Sequence, residues 1–170
     1  MTTLTHIAVG AVIAKAVLAG HKIQADPTIV YAVSILFSHL PDFTQPLIFL
    51  RYRVRKSHHL YSMYHKPIFW LALYAALQLT LPHALWNTIA VYANIALIAV
   101  GVHFLLDSFG PFRGVVWFSP ILKKELYFVK LQEEPTSGRE FIKAYAKTVV
   151  HKVQFLIIAG CLLYLLKKPV

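Results

Sequence analysis

The chain has 170 residues, 58% of them apolar and 14% charged, with Lys+Arg 17 against Asp+Glu 7 and a formal net charge of +10. So high an apolar share excludes a disordered tail or a basic nucleic-acid arm, and a mean hydropathy of +0.59 excludes an ordinary water-soluble domain. What remains is an all-α integral membrane protein, a polytopic helical bundle of four to five spans in a single domain over residues 1–170.

In chain order, the first apolar stretch runs from Leu4 to Gly20, broken only by Thr5, His6 and Lys15. No Lys or Arg precedes it and no small-residue cleavage site follows, so it is expected to stay in the protein and not to act as a signal peptide. Within it Gly10 and Ala14, four apart, predict a close helix contact. The second stretch, Thr28 to Leu40, stops at Pro41, which lacks a backbone donor and disfavours helix for the residue before it. The helix is therefore predicted to end near His39, with Asp42 turning back across its end.

The third stretch is Pro67 to Leu81, the fourth is Ile89 to Leu106 without a single charge, and the fifth runs from Thr148 to Leu166. Only the last two approach the roughly 20 residues that cross hydrocarbon. Residues 1–120 thus form a His- and Asp-bearing core, 121–147 a basic loop, and 148–166 a C-terminal hydrophobic helix. Charge alternates with apolar residues from Lys123 to Lys152, which predicts an amphipathic segment on the membrane surface. Cys161 is the only cysteine and lies in an apolar run, so neither a disulfide framework nor a thiolate zinc site is expected. Tyr31, Trp70, Tyr74, Trp86 and Tyr92 are read as aromatic belts or helix contacts.

Topology follows from the loops. Arg51, Arg53, Arg55, Lys56 and Lys66 lie between stretches two and three, and Arg113, Lys123, Lys124, Lys130, Arg139, Lys143 and Lys147 between four and five. The other two loops hold only Lys22. With five spans the positive-inside rule places the N-terminus and both basic loops in the cytoplasm, against anionic headgroups. Lys167 and Lys168 leave a variant with four spans and a surface-lying terminal helix.

On that topology His6, His39, Asp42, His58, His59, His65, His103 and Asp107 all fall at the cytoplasmic end. His103 and Asp107, at i and i+4, stack on one helix face and present an imidazole and a carboxylate to the same ion. Carboxylates near hydrocarbon are costly and require a partner, and a divalent cation satisfies several such groups together. Imidazole with carboxylate oxygen suits zinc first, with manganese or iron as alternatives. The ligands outnumber the needs of one tetrahedral ion, which points to two ions and a metal-bound water as nucleophile. Asp42 and Asp107 are the candidate catalytic carboxylates. Arg113 and Lys66 are the candidate cationic groups for a substrate anion.

Ser38-His39-Leu40-Pro41-Asp42, Ser57-His58-His59 through His65, and Gly101-Val102-His103-Phe104-Leu105-Leu106-Asp107-Ser108 before Gly110-Pro111 resemble the signatures of the YdjM/YbcI-like inner-membrane proteins. The resemblance covers residues 1–120, from Thr5-His6 onward. It implies a membrane-bound metal-dependent hydrolase of the inner membrane, with His6 among its ligands; one family member is described as associating with LexA, which implies a protein partner. The family's His-Arg-x-x-Thr-His-Ser motif is longer here, His58-His59-Leu60-Tyr61-Ser62-Met63-Tyr64-His65-Lys66, so either His58 or His59 is the ligand. More distantly, the early His, the isolated Asp and the His-x-x-x-Asp pair are similar to zinc-dependent phospholipases C and single-strand nucleases, without their His-x-x-x-Glu pair.

Two functions fit these residues. One is hydrolysis of a lipid or nucleotide-like phosphoester at the cytoplasmic membrane face, with no stable nucleic-acid partner. The other is a non-enzymatic regulatory or docking protein in which a structural metal or a His/Asp network ties helix ends together.

Overall fold

The computed structural model describes residues 2–20, 25–42, 63–110, 115–122, 126, 128 and 143–167. Among the described residues the principal α-helices are α1 (Thr3–Gly20), α2 (Pro27–His39), α3 (Pro67–Thr80), α4 (His83–Asp107) and α5 (Val149–Leu166), with a single helical turn over 143–146. Short 3-10 turns cover Leu40–Asp42 and Met63–His65.

Local chemistry explains the boundaries. Asp26 caps α2, its Oδ1 accepting from the backbone N–H of Thr28 (2.7 Å) and Ile29 (3.4 Å), with Pro27 in the first turn. At its other end α2 gives way at Pro41 to the 3-10 turn that carries Asp42, as the sequence predicts. Pro67 opens α3 in the same way as Pro27 opens α2. Thr148 caps α5 by accepting from the His151 N–H at 3.1 Å. The helix α4 starts directly after Pro82, upstream of the expected Ile89. His83, Trp86, Asn87 and Thr88 interrupt an apolar run, but they do not interrupt a helix, because each keeps its backbone donor and helical φ.

Among the described residues three helices are long and apolar enough to cross a membrane: α1, α4 and α5. At 1.5 Å per residue α4 measures about 37 Å and α1 and α5 about 27 Å each, against a hydrocarbon core of about 30 Å. The 13 residues of α2 and 14 of α3 reach only about 20 Å. These two pack against the long helices, α2 on α1 and α4, and α3 on α4.

Helix α1 ties the bundle together. Gly10 lies so close to α2 that a Cβ there would sit 2.5 Å from Ser38 Oγ and 3.0 Å from both Ile35 Cα and Ser34 O. Ser34 Oγ donates to the Gly10 carbonyl at 2.7 Å across the same contact, the small-residue packing that stands in for the absent hydrophobic force between helices in lipid. Farther along α1, Lys15 Nζ donates to the carbonyls of Tyr164 (2.8 Å), Leu165 (2.9 Å) and Lys167 at the end of α5, and its ammonium stands 5.3 Å from the Tyr164 ring centroid. A lysine in an apolar stretch thereby serves as the C-terminal cap of another helix.

Beyond α4, Val115 and Leu126 exchange two backbone hydrogen bonds of 2.9 Å each, and this pair is fastened to the end of α4: Phe128 N–H donates to the Ser108 carbonyl at 2.8 Å and Trp117 Nε1–H to Ser108 Oγ at 2.9 Å. Val115 joins Trp70, Val100 and Phe104 in a buried cluster under that end. Most of the predicted amphipathic segment from Lys123 to Lys152 lies outside the described residues. Lys152 itself belongs to the first turn of α5.

Candidate metal centre

Four segments far apart in sequence bring polar side chains to one place at the C-terminal end of α4. His6 comes from the first turn of α1, Asp42 from the turn after α2, His65 from the turn before α3, and His103 with Asp107 from the last turns of α4. All but Asp107 are buried, and the Asp107 side chain is 11% exposed.

Asp107 is the more tightly held carboxylate. Its Oδ1 lies 3.1 Å from His6 Nε2, and its Oδ2 lies 3.4 Å from His65 Nε2 and 3.3 Å from His103 Nε2. Asp42 reaches the same three imidazoles at longer range, 3.9 Å to His6 Nε2 and 3.8 Å to each of His65 Nδ1 and His103 Nε2. The His6 and His103 rings stack at 4.1 Å between centroids. Burial, with the nearby Asp107 charge, pushes the Asp42 carboxyl up to about 6.

One hydrogen bond fixes the chemistry. His103 Nδ1 stands 2.8 Å from the Ser38 carbonyl oxygen, which can only accept, so Nδ1 carries a proton. In a neutral imidazole Nε2 then offers a lone pair, and it faces two carboxylates. Lone pair against lone pair is repulsive unless a cation or a second proton lies between them. A histidine whose far nitrogen is bonded to a backbone carbonyl is also the usual arrangement of a metal ligand, because it sets the tautomer and aims the ring.

Donor atoms of His6, Asp42, His103 and Asp107 lie within 4.8 Å of one another, a group that can hold a metal ion. The donor set, neutral nitrogen with anionic oxygen, fits a borderline divalent cation, and two carboxylates cancel its charge.

Of the other candidates, His39 ends α2 half-buried and the structure does not bring it into this set. Lys66 follows His65 at the N-cap of α3. His58, His59 and Arg113 lie outside the described residues. Two polar residues that the sequence reading passed over belong to this neighbourhood. Gln154 is buried in α5, close to Tyr145, whose phenol burial pushes up to about 12, with the Asp107 charge acting in the same direction. The available signal was an amide within an apolar run, which needs a partner in lipid.

No curated protein sequence and no solved structure matches the chain. The family model described as YdjM inner membrane protein matches residues 1–169, nearly the whole chain and well past the resemblance over 1–120. A chain whose His6, Asp42, His65, His103 and Asp107 meet at one end of α4, and nearly all of which the family model covers, therefore belongs to the YdjM inner membrane protein family.

Proposed function

We propose that the protein is a metal-dependent hydrolase that cleaves a phosphoester at the cytoplasmic face of the inner membrane. The observation that carries this is His103 Nε2, turned toward Asp42 and Asp107 by the bond from Nδ1 to the Ser38 carbonyl. His6, Asp42, His103 and Asp107 hold the ion, with His65 beside them. A bound divalent ion supplies Lewis acidity and acidifies water.

The two carboxylates divide the work by distance. Asp107, within 3.4 Å of three imidazoles, fixes the site. Asp42, at 3.8 Å or more, is the one with room to take a proton from water at Oδ1. Lys66 and Arg113 contribute positive charge toward a phosphoryl group.

Burial of nearly every group favours a second reading, a closed structural site that ties α1, α2 and α4 together. Metal analysis by mass spectrometry, on detergent-purified wild type and a His103→Ala/Asp107→Ala variant, is the first test. Near-stoichiometric zinc, manganese or iron, lost in the variant, is the expected result; metal-free protein after reconstitution with each ion sinks both metal readings. Asp42→Asn then separates them. With the metal kept saturating, a hydrolase loses turnover of bis(p-nitrophenyl) phosphate out of proportion to any change in melting temperature, whereas a structural site shows a fall in melting temperature and no turnover in the wild type to lose.

A further inference from the structure

Residues 115–122, with Leu126 and Phe128, are tied to the metal-centre end of α4 yet turn apolar side chains outward: Ile121 is 78% exposed, Phe128 61%, Leu122 56% and Phe118 55%. Their underside is fully occupied, with Val115 in the core, Trp117 on Ser108, and Phe128 against Phe109 at 4.8 Å between ring centroids. Exposed apolar residues in such density mark an interaction surface. Three observations identify the occupant as lipid. These residues are fastened to the end of a membrane-crossing helix at Ser108 and Phe109. Their sequence neighbours Arg113, Lys123, Lys124 and Lys130 are cationic, the pairing of apolar with basic residues that suits anionic headgroups. Helix α4 exceeds the hydrocarbon core by about 7 Å, and His103 lies 20 residues, about 30 Å, from His83, which sets the metal centre at headgroup depth.

We propose that residues 115–122, with Leu126 and Phe128, lie in the bilayer interface beside the metal centre and that the substrate is a phospholipid taken from that interface, not a soluble phosphoester. The second half rests on the hydrolase reading above; the first does not. Water-soluble substrates gain nothing from a rim of Phe118, Ile121 and Leu122, whereas a lipid whose chains stay among those side chains brings its phosphodiester to the level of Asp107.

Site-directed spin labelling tests the location without reference to activity. A nitroxide is attached through Ile121→Cys, with Cys161→Ser removing the only native thiol, in vesicles of phosphatidylethanolamine and phosphatidylglycerol. Collision with oxygen should exceed collision with a water-soluble nickel chelate; the reverse, an aqueous signature, overturns the anchor. Metal-loaded protein in the same vesicles should release a phosphate-containing product from phosphatidylglycerol, and a Phe118→Ser/Ile121→Ser/Leu122→Ser variant should lower that rate about tenfold while leaving bis(p-nitrophenyl) phosphate turnover unchanged. Turnover of the soluble ester alone overturns the lipid substrate and spares the hydrolase reading. Failure on both substrates overturns both, with the anchor still decided by the nitroxide.

Discussion

A buried imidazole has two nitrogens to satisfy, and His103 uses one on the backbone of Ser38. The sequence made the pair His103 and Asp107 legible through helical spacing, and Asp42 through Pro41. It did not separate His39 from Ser38. Adjacent helical residues point about 100° apart, and it is the Ser38 carbonyl that meets His103. His6 carried no signal of its own beyond the family resemblance, and His65 became specific only when the turn before α3 placed it beside both carboxylates. Since a carboxyl must lose its proton to bind a cation and Asp42 is held up to about 6, metal affinity should fall as pH drops through that value. Equilibrium metal retention after dialysis at pH 7.5 and pH 5 checks this; equal retention at both would remove Asp42 from the ligands.

Elements were more legible than their contacts. All five helices follow from apolar runs punctuated by Pro27, Pro41, Pro67 and Pro82, and only the start of α4 was displaced, because hydropathy marks burial in lipid and not helical backbone. The spacing of Gly10 and Ala14 announced a contact without naming its partner, since two short polar residues of α2, Ser34 and Ser38, leave no mark in an apolar run. Gly10→Ala forces its Cβ into the backbone of Ile35 and Ser34, and overpacking of this kind costs about 1–3 kcal/mol. Thermal unfolding in detergent should show the loss. Because α1 carries His6 and the end of α2 carries Asp42, metal affinity should weaken with it, by equilibrium competition with a chelator. Ser34→Ala, which removes one interhelical hydrogen bond, should cost less, about 0.6 kcal/mol.

At the scale of the molecule, the cluster joins residues 6, 42, 65, 103 and 107, so an ion bound there holds two helices and the two turns that border α2 and α3 at once. Metal at a hundredfold excess over its Kd should stabilise the fold by about 2.7 kcal/mol, read as a rise in melting temperature that the His103→Ala/Asp107→Ala variant lacks. Lys15→Met should loosen α5 and speed proteolysis at its C-terminal end, because three carbonyls lose their cap. That cap also imposes an order on biosynthesis. Synthesis runs from N- to C-terminus, so Lys15 is made about 150 residues before the Tyr164, Leu165 and Lys167 carbonyls that it caps. Until α5 is made, α1 therefore carries an ammonium without these carbonyl partners, a charge whose cost in an apolar helix falls only when α5 packs beside it.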